Sequence, residues 1–106
     1  MFVYNRDVEE KIPVEGLHRK VLAHDEGLMV CEFLLEKDTL LALHHHPHKQ
    51  ITYVISGHLR YTVGDETREV GDGDSVLIAP DVPHQVMVLE DTRVIDVFTP
   101  AREDFL

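Results

Sequence analysis

Apolar and polar residues alternate along most of the chain in short runs, and each run ends at glycine, proline or an acidic turn. Between residues 29 and 36, Met29, Cys31, Phe33 and Leu35 share one parity while Glu32 and Glu36 fall on the other, and a similar alternation recurs at Leu59, Tyr61 and Val63. No stretch keeps an apolar period of a helix over three turns. Because alternate side chains of a strand point to opposite faces, the pattern predicts an all-β protein.

The runs are short and closely spaced, as in an all-β sandwich or barrel, and we expect about ten strands. Residues 7–12 are too short for an independent helix, and residues 100–106 offer at most one or two helical turns. No repeat, low-complexity tract or linker divides the chain. Residues 1–106 are therefore expected to form one domain, an antiparallel double sheet that is closed or nearly closed. The predicted strands include residues 21–23, 28–35, 40–46, 51–56, 59–63, 67–70, 75–79, 85–89 and 94–98.

Composition narrows the functional classes. Apolar residues make up 43% of the 106 positions, which excludes a disordered chain. The 20 acidic and 10 basic residues give a net charge of −10, which argues against nucleic acid and anionic membranes as partners. No apolar run is long enough for a membrane helix. The single cysteine, Cys31, excludes an internal disulfide and is typical of a reducing compartment, so we expect a cytoplasmic protein.

Four of the eight histidines lie within residues 43–48. On a strand, His44 and His46 point to the same face and can chelate one ion. Gln50 opens the next predicted strand, and His84 follows a proline-rich corner as a third imidazole. Neutral imidazole is the commonest protein ligand for divalent transition metals. A solvated histidine tract is the alternative, but the internal position beside apolar strand residues favours a metal site.

Two segments resemble the paired motifs of the cupin superfamily. Residues 44–57 contain two histidines one residue apart, then an amide, then a closing glycine, as in the first cupin motif. Residues 73–84 run from a glycine to His84, as in the second motif. The resemblance implies a cupin-type double-stranded β-helix, the jelly-roll barrel, in a single domain. It also implies a metal held by His44, His46, Gln50 and His84.

This chain departs from the common cupin pattern at several positions. Gln50 replaces a frequent glutamate, and Asp81 replaces a frequent glycine. Three imidazoles and an amide leave the charge of a divalent ion uncompensated, which favours an anionic ligand and Lewis-acid rather than redox chemistry. The donor types suit nickel, manganese, iron, zinc or copper, and the sequence does not choose among them.

Residues 95–106 are similar to the C-terminal signature of the pectin degradation protein family, small cupins that ketonise unsaturated uronates. Asp96, Phe98 and Arg102 match that family's catalytic and substrate-contacting positions. Parity places Asp96 and Phe98 on one strand face, but parity alone leaves open whether that face lines the barrel or the solvent. The resemblance implies conversion of 4,5-unsaturated monouronates from pectin or alginate into linear 4-deoxy-5-keto uronates.

In this hypothesis the metal acts as a Lewis acid and Asp96 donates a proton. Arg102 binds the substrate carboxylate, and Phe98 forms an apolar wall. Two alternatives remain open: a metal-dependent cupin dioxygenase, and a non-catalytic sugar-binding cupin. Analogy with other cupins, in which an N-terminal strand commonly pairs across a dimer, implies a homodimer.

The other conspicuous residues are weaker candidates. His45 is expected to face away from the barrel, and His48 lies in the turn between strands. Whether His58 and Arg60 reach the cavity is open from parity. Structural or surface roles are predicted for His18 and His24 (both without partners), for Cys31 as a buried inert thiol, and for Tyr53 and Tyr61 in aromatic core packing.

Overall fold

Eight antiparallel strands joined by short turns make up most of the computed structural model, which describes residues 1–106. Two 3-10 turns, Asn5–Asp7 and Glu103–Phe105, lie near the ends of the chain. None of the helical segments is long and apolar enough to cross a membrane. The strands are β1 (Lys11–Val14), β2 (Leu17–His24), β3 (Met29–Leu35), β4 (Leu40–His44), β5 (Lys49–Val63), β6 (Glu66–Gly71), β7 (Ser75–Ile78) and β8 (His84–Thr99).

The sheet follows the order β1-β2-β3-β8-β5-β6, with β4 paired to β8 and β7 paired to β5. The two long strands, β5 and β8, pair with each other from Lys49↔Thr99 to Val63↔His84 and so run through both halves of the barrel. This arrangement confirms the all-β prediction and the cupin-type jelly roll.

Alternation along the strands builds the core inside this barrel. Met29, Cys31, Phe33 and Leu35 of β3 are all buried, as the parity of the sequence predicted. On β8 the inward positions include Val94 and, further along, the pair Asp96 and Phe98. Each fully buried apolar side chain of this kind stabilises the fold by about 1.5–3 kcal/mol.

β5 and β8 are each one strand where the pattern predicted two. Gly57 continues β5 through a bulge instead of ending it, with φ at 123°. A Cβ at this position would lie 2.6 Å from Cα of Thr92, so only glycine fits the crossing of the two strands. Thr92 in turn accepts a 3.0 Å hydrogen bond from the His58 backbone N–H, which keeps the acidic segment of β8 in the sheet.

Strand β1 was not predicted. Its four residues are exposed and include Pro13, which cannot donate a ladder hydrogen bond. Proline is tolerated here because β1 is the edge of the sheet and pairs only with β2. At the other end of the chain, Glu103–Phe105 forms a single 3-10 turn, within the one or two turns expected.

Candidate active site

The four predicted metal ligands converge at one end of the barrel. His44 at the end of β4 pairs directly with His84 at the start of β8, and their ring centroids are 4.2 Å apart. His46, in the loop after β4, packs its ring 4.9 Å from that of His84. One ligand nitrogen from each histidine lies within 4.8 Å of the others. The topology thus brings two distant segments of sequence to one point.

Backbone carbonyls fix which nitrogen of each histidine carries the proton. A carbonyl oxygen can only accept, so each Nδ1 must be an N–H donor and each Nε2 keeps its lone pair. The three bonds run from His44 to Ala42 (2.7 Å), from His46 to His48 (3.1 Å) and from His84 to Val82 (2.9 Å).

The Nε2 lone pairs of His84 and His46 have no hydrogen-bond donor in the protein. His84 Nε2 is buried and has no hydrogen-bond partner. His46 Nε2 lies 2.9 Å from Oε1 of Gln50, although both atoms are acceptors in this tautomer. Two acceptors at this distance repel each other unless a cation lies between them. The residues present therefore fit a divalent metal ion.

The environment also favours the neutral form of the His46 and His84 imidazoles, the form that binds a metal. Burial lowers the pKa of His84 to about 4 and outweighs the hydrogen bond to the Val82 carbonyl. Burial likewise lowers the pKa of His46, with the Arg102 charge acting in the same direction. Neither ring carries a proton on Nε2 near neutral pH.

The amide of Gln50 is oriented by the groups on its other side. Its Nε2 donates to Oδ2 of Asp96 at 3.2 Å and to Oγ1 of Thr52 at 3.1 Å. The Tyr61 hydroxyl lies 3.4 Å from the same nitrogen. Because a carboxylate can only accept, these contacts turn the Gln50 oxygen toward His46.

Asp96 faces the interior, which settles the question that parity left open. Its side chain is buried and accepts hydrogen bonds from Thr52 (2.6 Å) and Gln50 (3.2 Å). Burial raises the pKa of Asp96 to about 7, while both hydrogen bonds and the Arg102 charge act to lower it. A carboxyl in this state can both give and take a proton near neutral pH.

A cavity of about 200 Å³ adjoins these residues. His44, Gln50, His84 and Asp96 lie on its polar side, and aliphatic side chains such as Leu59 form much of the rest. A mostly apolar pocket with a few convergent polar groups is typical of a small-molecule site.

Aromatic rings close one side of the cavity. Phe98 is buried and packs its ring edge-on against His46 (5.9 Å) and Phe105 (5.7 Å). The Arg102 guanidinium lies 4.2 Å from the Phe105 ring centroid and bonds Asp104 through both Nε and Nη2, at 3.0 and 2.8 Å. Asp96, Phe98 and Arg102, the three residues singled out in the C-terminal stretch, thus line one cavity.

Several cavity residues were not singled out in the sequence, and Tyr61 was predicted only to pack in the core, which its burial confirms. The hydroxyls of Thr52 and Tyr61 contact the Gln50 side-chain amide and each other. Thr52 lies two residues after Gln50, so strand parity in the sequence already placed the two side chains on one face. Arg19 on β2 and Phe105 at the end of the chain also line the cavity. No sequence pattern links these two, because they meet only through folding.

Other histidines stay away from the cavity. His45 is exposed, with Nδ1 3.8 Å from Asp81, as predicted. His48 packs its ring 5.4 Å from that of His46 without lining the cavity. His58 and Arg60 both face Glu69 on the outer side, at 2.8 and 3.9 Å.

Three structural predictions were wrong. His24 does have a partner, because its Nδ1 lies 3.0 Å from the Leu22 carbonyl oxygen. His18 does have partners: its ring nitrogens lie 2.7 Å from Glu10 and 2.7 Å from Glu36, because β1 and the end of β3 flank it. Tyr53 is 47% exposed instead of packed in the core, since its parity is opposite to that of buried Thr52.

Comparisons with known proteins agree with this geometry. Residues 32–98 match the Cupin domain family (Cupin_2). The pectin degradation protein KdgF of Dickeya dadantii (strain 3937) is 33% identical over 94 residues, covering 87% of this chain and 86% of that protein. The structure of KdgF from Halomonas sp. superimposes with a TM-score of 0.94 at 30% identity, covering 100% and 98% of the two chains. An RmlC-like cupin from Shewanella frigidimarina NCIMB 400 gives 0.95 at 30% identity, covering 99% and 95%.

Proposed function

Because this chain belongs to the cupin domain family and is similar throughout to the pectin degradation protein KdgF, we propose that it is a cytoplasmic, metal-dependent enzyme acting on a small sugar acid. The reaction proposed is conversion of 4,5-unsaturated monouronates from pectin or alginate into linear 4-deoxy-5-keto uronates. One observation carries the proposal: the unsatisfied imidazole lone pairs adjoin a buried carboxyl in a cavity that also holds arginines.

The reaction is an isomerisation and needs no oxidant. The ring form of the substrate is both a hemiacetal and a cyclic enol ether. When the C1–O5 bond breaks, the hemiacetal hydroxyl loses its proton and C1 becomes an aldehyde. The electron pair of that bond stays on O5, so an enolate is released, and it becomes the C5 ketone when a proton is added at C4. One proton leaves oxygen and one arrives at carbon, so the atoms balance.

His44, His46, Gln50 and His84 would hold one divalent transition metal. When bound, the ion supplies a Lewis acid that stabilises negative charge on a substrate oxygen. The protein's part is to keep the three Nε2 lone pairs and the Gln50 oxygen aimed at one point. The donor set suits nickel, manganese, iron, zinc or copper.

Asp96 is assigned the proton transfer to C4. It faces the cavity, and the Thr52 hydroxyl and Gln50 amide fix its orientation. The proton lost from the hemiacetal hydroxyl restores the acid, so the enzyme consumes no net proton. Phe98 supplies an apolar wall that excludes water, and Arg102 binds the substrate carboxylate.

The test is to incubate the purified protein with the products of a pectate lyase digest, with and without a chelator. We expect the ultraviolet absorbance of the unsaturated uronate to fall, and the chelator to stop the fall. No fall with metal-loaded protein would refute the proposal. Turnover that requires oxygen would favour the dioxygenase alternative, and binding without product would favour a sugar-binding cupin.

We also propose a homodimer, formed through the outer face of β5 and β7. Ile51 and Leu77 are direct cross-strand partners and are 45% and 64% exposed, with Tyr53 beside them. Outward positions of antiparallel sheets are normally polar, so an exposed apolar row of this kind favours a partner surface. Sedimentation equilibrium should give a dimer for the wild type and a monomer for Leu77→Lys; a monomeric wild type would refute it.

A further inference from the structure

Arg19 is the one cavity arginine without a carboxylate partner. It lies on β2 opposite Phe33 of β3, and its Cζ is 4.1 Å from the Phe105 ring centroid. Its Nε is buried and makes no hydrogen bond. A buried guanidinium donor without an acceptor is costly, so a group that supplies one would be bound strongly.

The other arginines that approach carboxylates are paired with them, unlike Arg19. Arg102 also lines the cavity, but Asp104 already binds two of its nitrogens. Arg60, Arg68 and Arg93 are paired with Glu69, Glu66 and Glu32, all outside the cavity. Arg19 therefore presents the positive charge in this cavity that no protein carboxylate neutralises.

Packing holds the Arg19 side chain in place. The Phe105 ring supports the guanidinium, and that ring is itself held edge-on by Phe33 (6.3 Å) and Phe98 (5.7 Å). A stacked guanidinium keeps its N–H edge free, and that edge matches the two oxygens of a carboxylate.

We infer that Arg19 binds the carboxylate of the ligand, as a second guanidinium beside Arg102. The identity of the ligand as a uronate rests on the proposed function. The inference that it carries a carboxylate rests on the unpaired Arg19 guanidinium and its free N–H edge.

The position of Arg19 also suits the chemistry. Phe33 pairs with Val94, and Asp96 lies two residues further along β8. From strand spacings, Cα of Arg19 is roughly 12 Å from Cα of Asp96, and an extended arginine side chain covers about half of that gap. In the proposed substrate the carboxylate is attached to C5, beside C4. A carboxylate on Arg19 would thus place C4 toward Asp96.

Isothermal titration of metal-loaded protein with glucuronate, a saturated and unreactive probe, tests this inference. Its uncharged methyl ester is the comparison ligand. We expect the wild type to bind glucuronate more tightly than the ester. Arg19→Met should weaken glucuronate binding about 10- to 100-fold and ester binding less than about threefold. Arg68→Met, which removes a paired surface arginine, should change neither affinity.

Arg19→Lys keeps the positive charge but loses the planar guanidinium that binds a carboxylate through two N–H groups. We expect this variant to lose less affinity than Arg19→Met. It also keeps the test decisive if the methionine variant does not fold. Equal glucuronate affinity in the wild type and both variants would overturn the inference. Equal losses for glucuronate and ester would also overturn it, since they would show a structural role only.

The outcome is separable from the proposed function. A protein that needs Arg19 to prefer glucuronate but leaves the unsaturated uronate unchanged keeps the Arg19 assignment and loses the ketonisation. A protein that consumes the uronate equally well with Arg19→Met keeps the ketonisation and loses the Arg19 assignment.

Discussion

The Thr52 hydroxyl donates a 2.6 Å hydrogen bond to the buried carboxyl of Asp96, across the β5–β8 pair in which the two residues face each other. The same hydroxyl also contacts the Gln50 amide and the Tyr61 hydroxyl. One threonine thus links the proposed acid to a proposed metal ligand. The register of two long strands sets this link, so it is part of the scaffold.

Replacing Thr52 with valine should lower turnover by about tenfold, because Asp96 loses the donor that orients it. Thr52→Ser keeps the hydroxyl and should retain most of the activity. The measurement is kcat on unsaturated monouronate, with metal content checked in parallel. Equal rates in the valine and serine variants would show that the hydrogen bond has no catalytic role.

Asp96→Ala should abolish the loss of ultraviolet absorbance, a fall of at least about 10²-fold, while one metal per chain is retained. The reason is that no other carboxyl lines the cavity to replace the proton donor. Elemental analysis and circular dichroism serve as controls for the metal and the fold. Full activity in this variant would refute the role of Asp96.

His84→Ala should remove most of the bound metal, because the Nε2 of His84 is buried with no other partner in the protein. His45→Ala is the matched control from the same histidine-rich region, since His45 is exposed and outside the cluster. Elemental analysis after dialysis should give about one ion per chain for the control. Similar metal contents in both variants would contradict the assigned ligand set.

His18 should stabilise the fold more at low than at high pH. Hydrogen bonds to Glu36, and then to Glu10, raise its pKa above the ordinary value. A raised folded pKa means that the stabilisation is full below about pH 6.5 and is lost as pH rises through the folded value. Urea midpoints of the wild type should exceed those of His18→Gln more at pH 6 than at pH 9. A difference that is constant or grows with pH would contradict this, and His24→Gln is the control.

Much of the site was predictable because it follows from local rules. Strand parity predicted that Asp96 and Phe98 share a face, and the two motifs supplied His84 and Gln50. Parity also predicted that His44 and His46 act together, although β4 ends at His44 and His46 reaches the cluster from the following loop. The structure brings these residues together: His44, Gln50, His84, Asp96 and Phe98 line the cavity, and His46 lies beside Gln50 in the histidine cluster. The inward direction of Asp96 needed the register with Thr52, which only the paired strands provide.

What the sequence did not reveal depends on contacts between distant segments. Arg19 and Phe105 are at opposite ends of the chain and meet because the C-terminal turn folds back over β2. Gly57 was predicted to end a strand, but it forms a bulge within one long strand, where Thr92 approaches it closely. Pairing at this range leaves no period or motif in the sequence.

Anomalous diffraction from a crystal of the purified, metal-loaded protein shows whether three imidazoles and one amide share a single cation. We expect one peak at about 2.0–2.2 Å from Nε2 of His44, His46 and His84 and from Oε1 of Gln50. No peak at this position after metal loading, or a peak bound by other residues, would contradict this expectation.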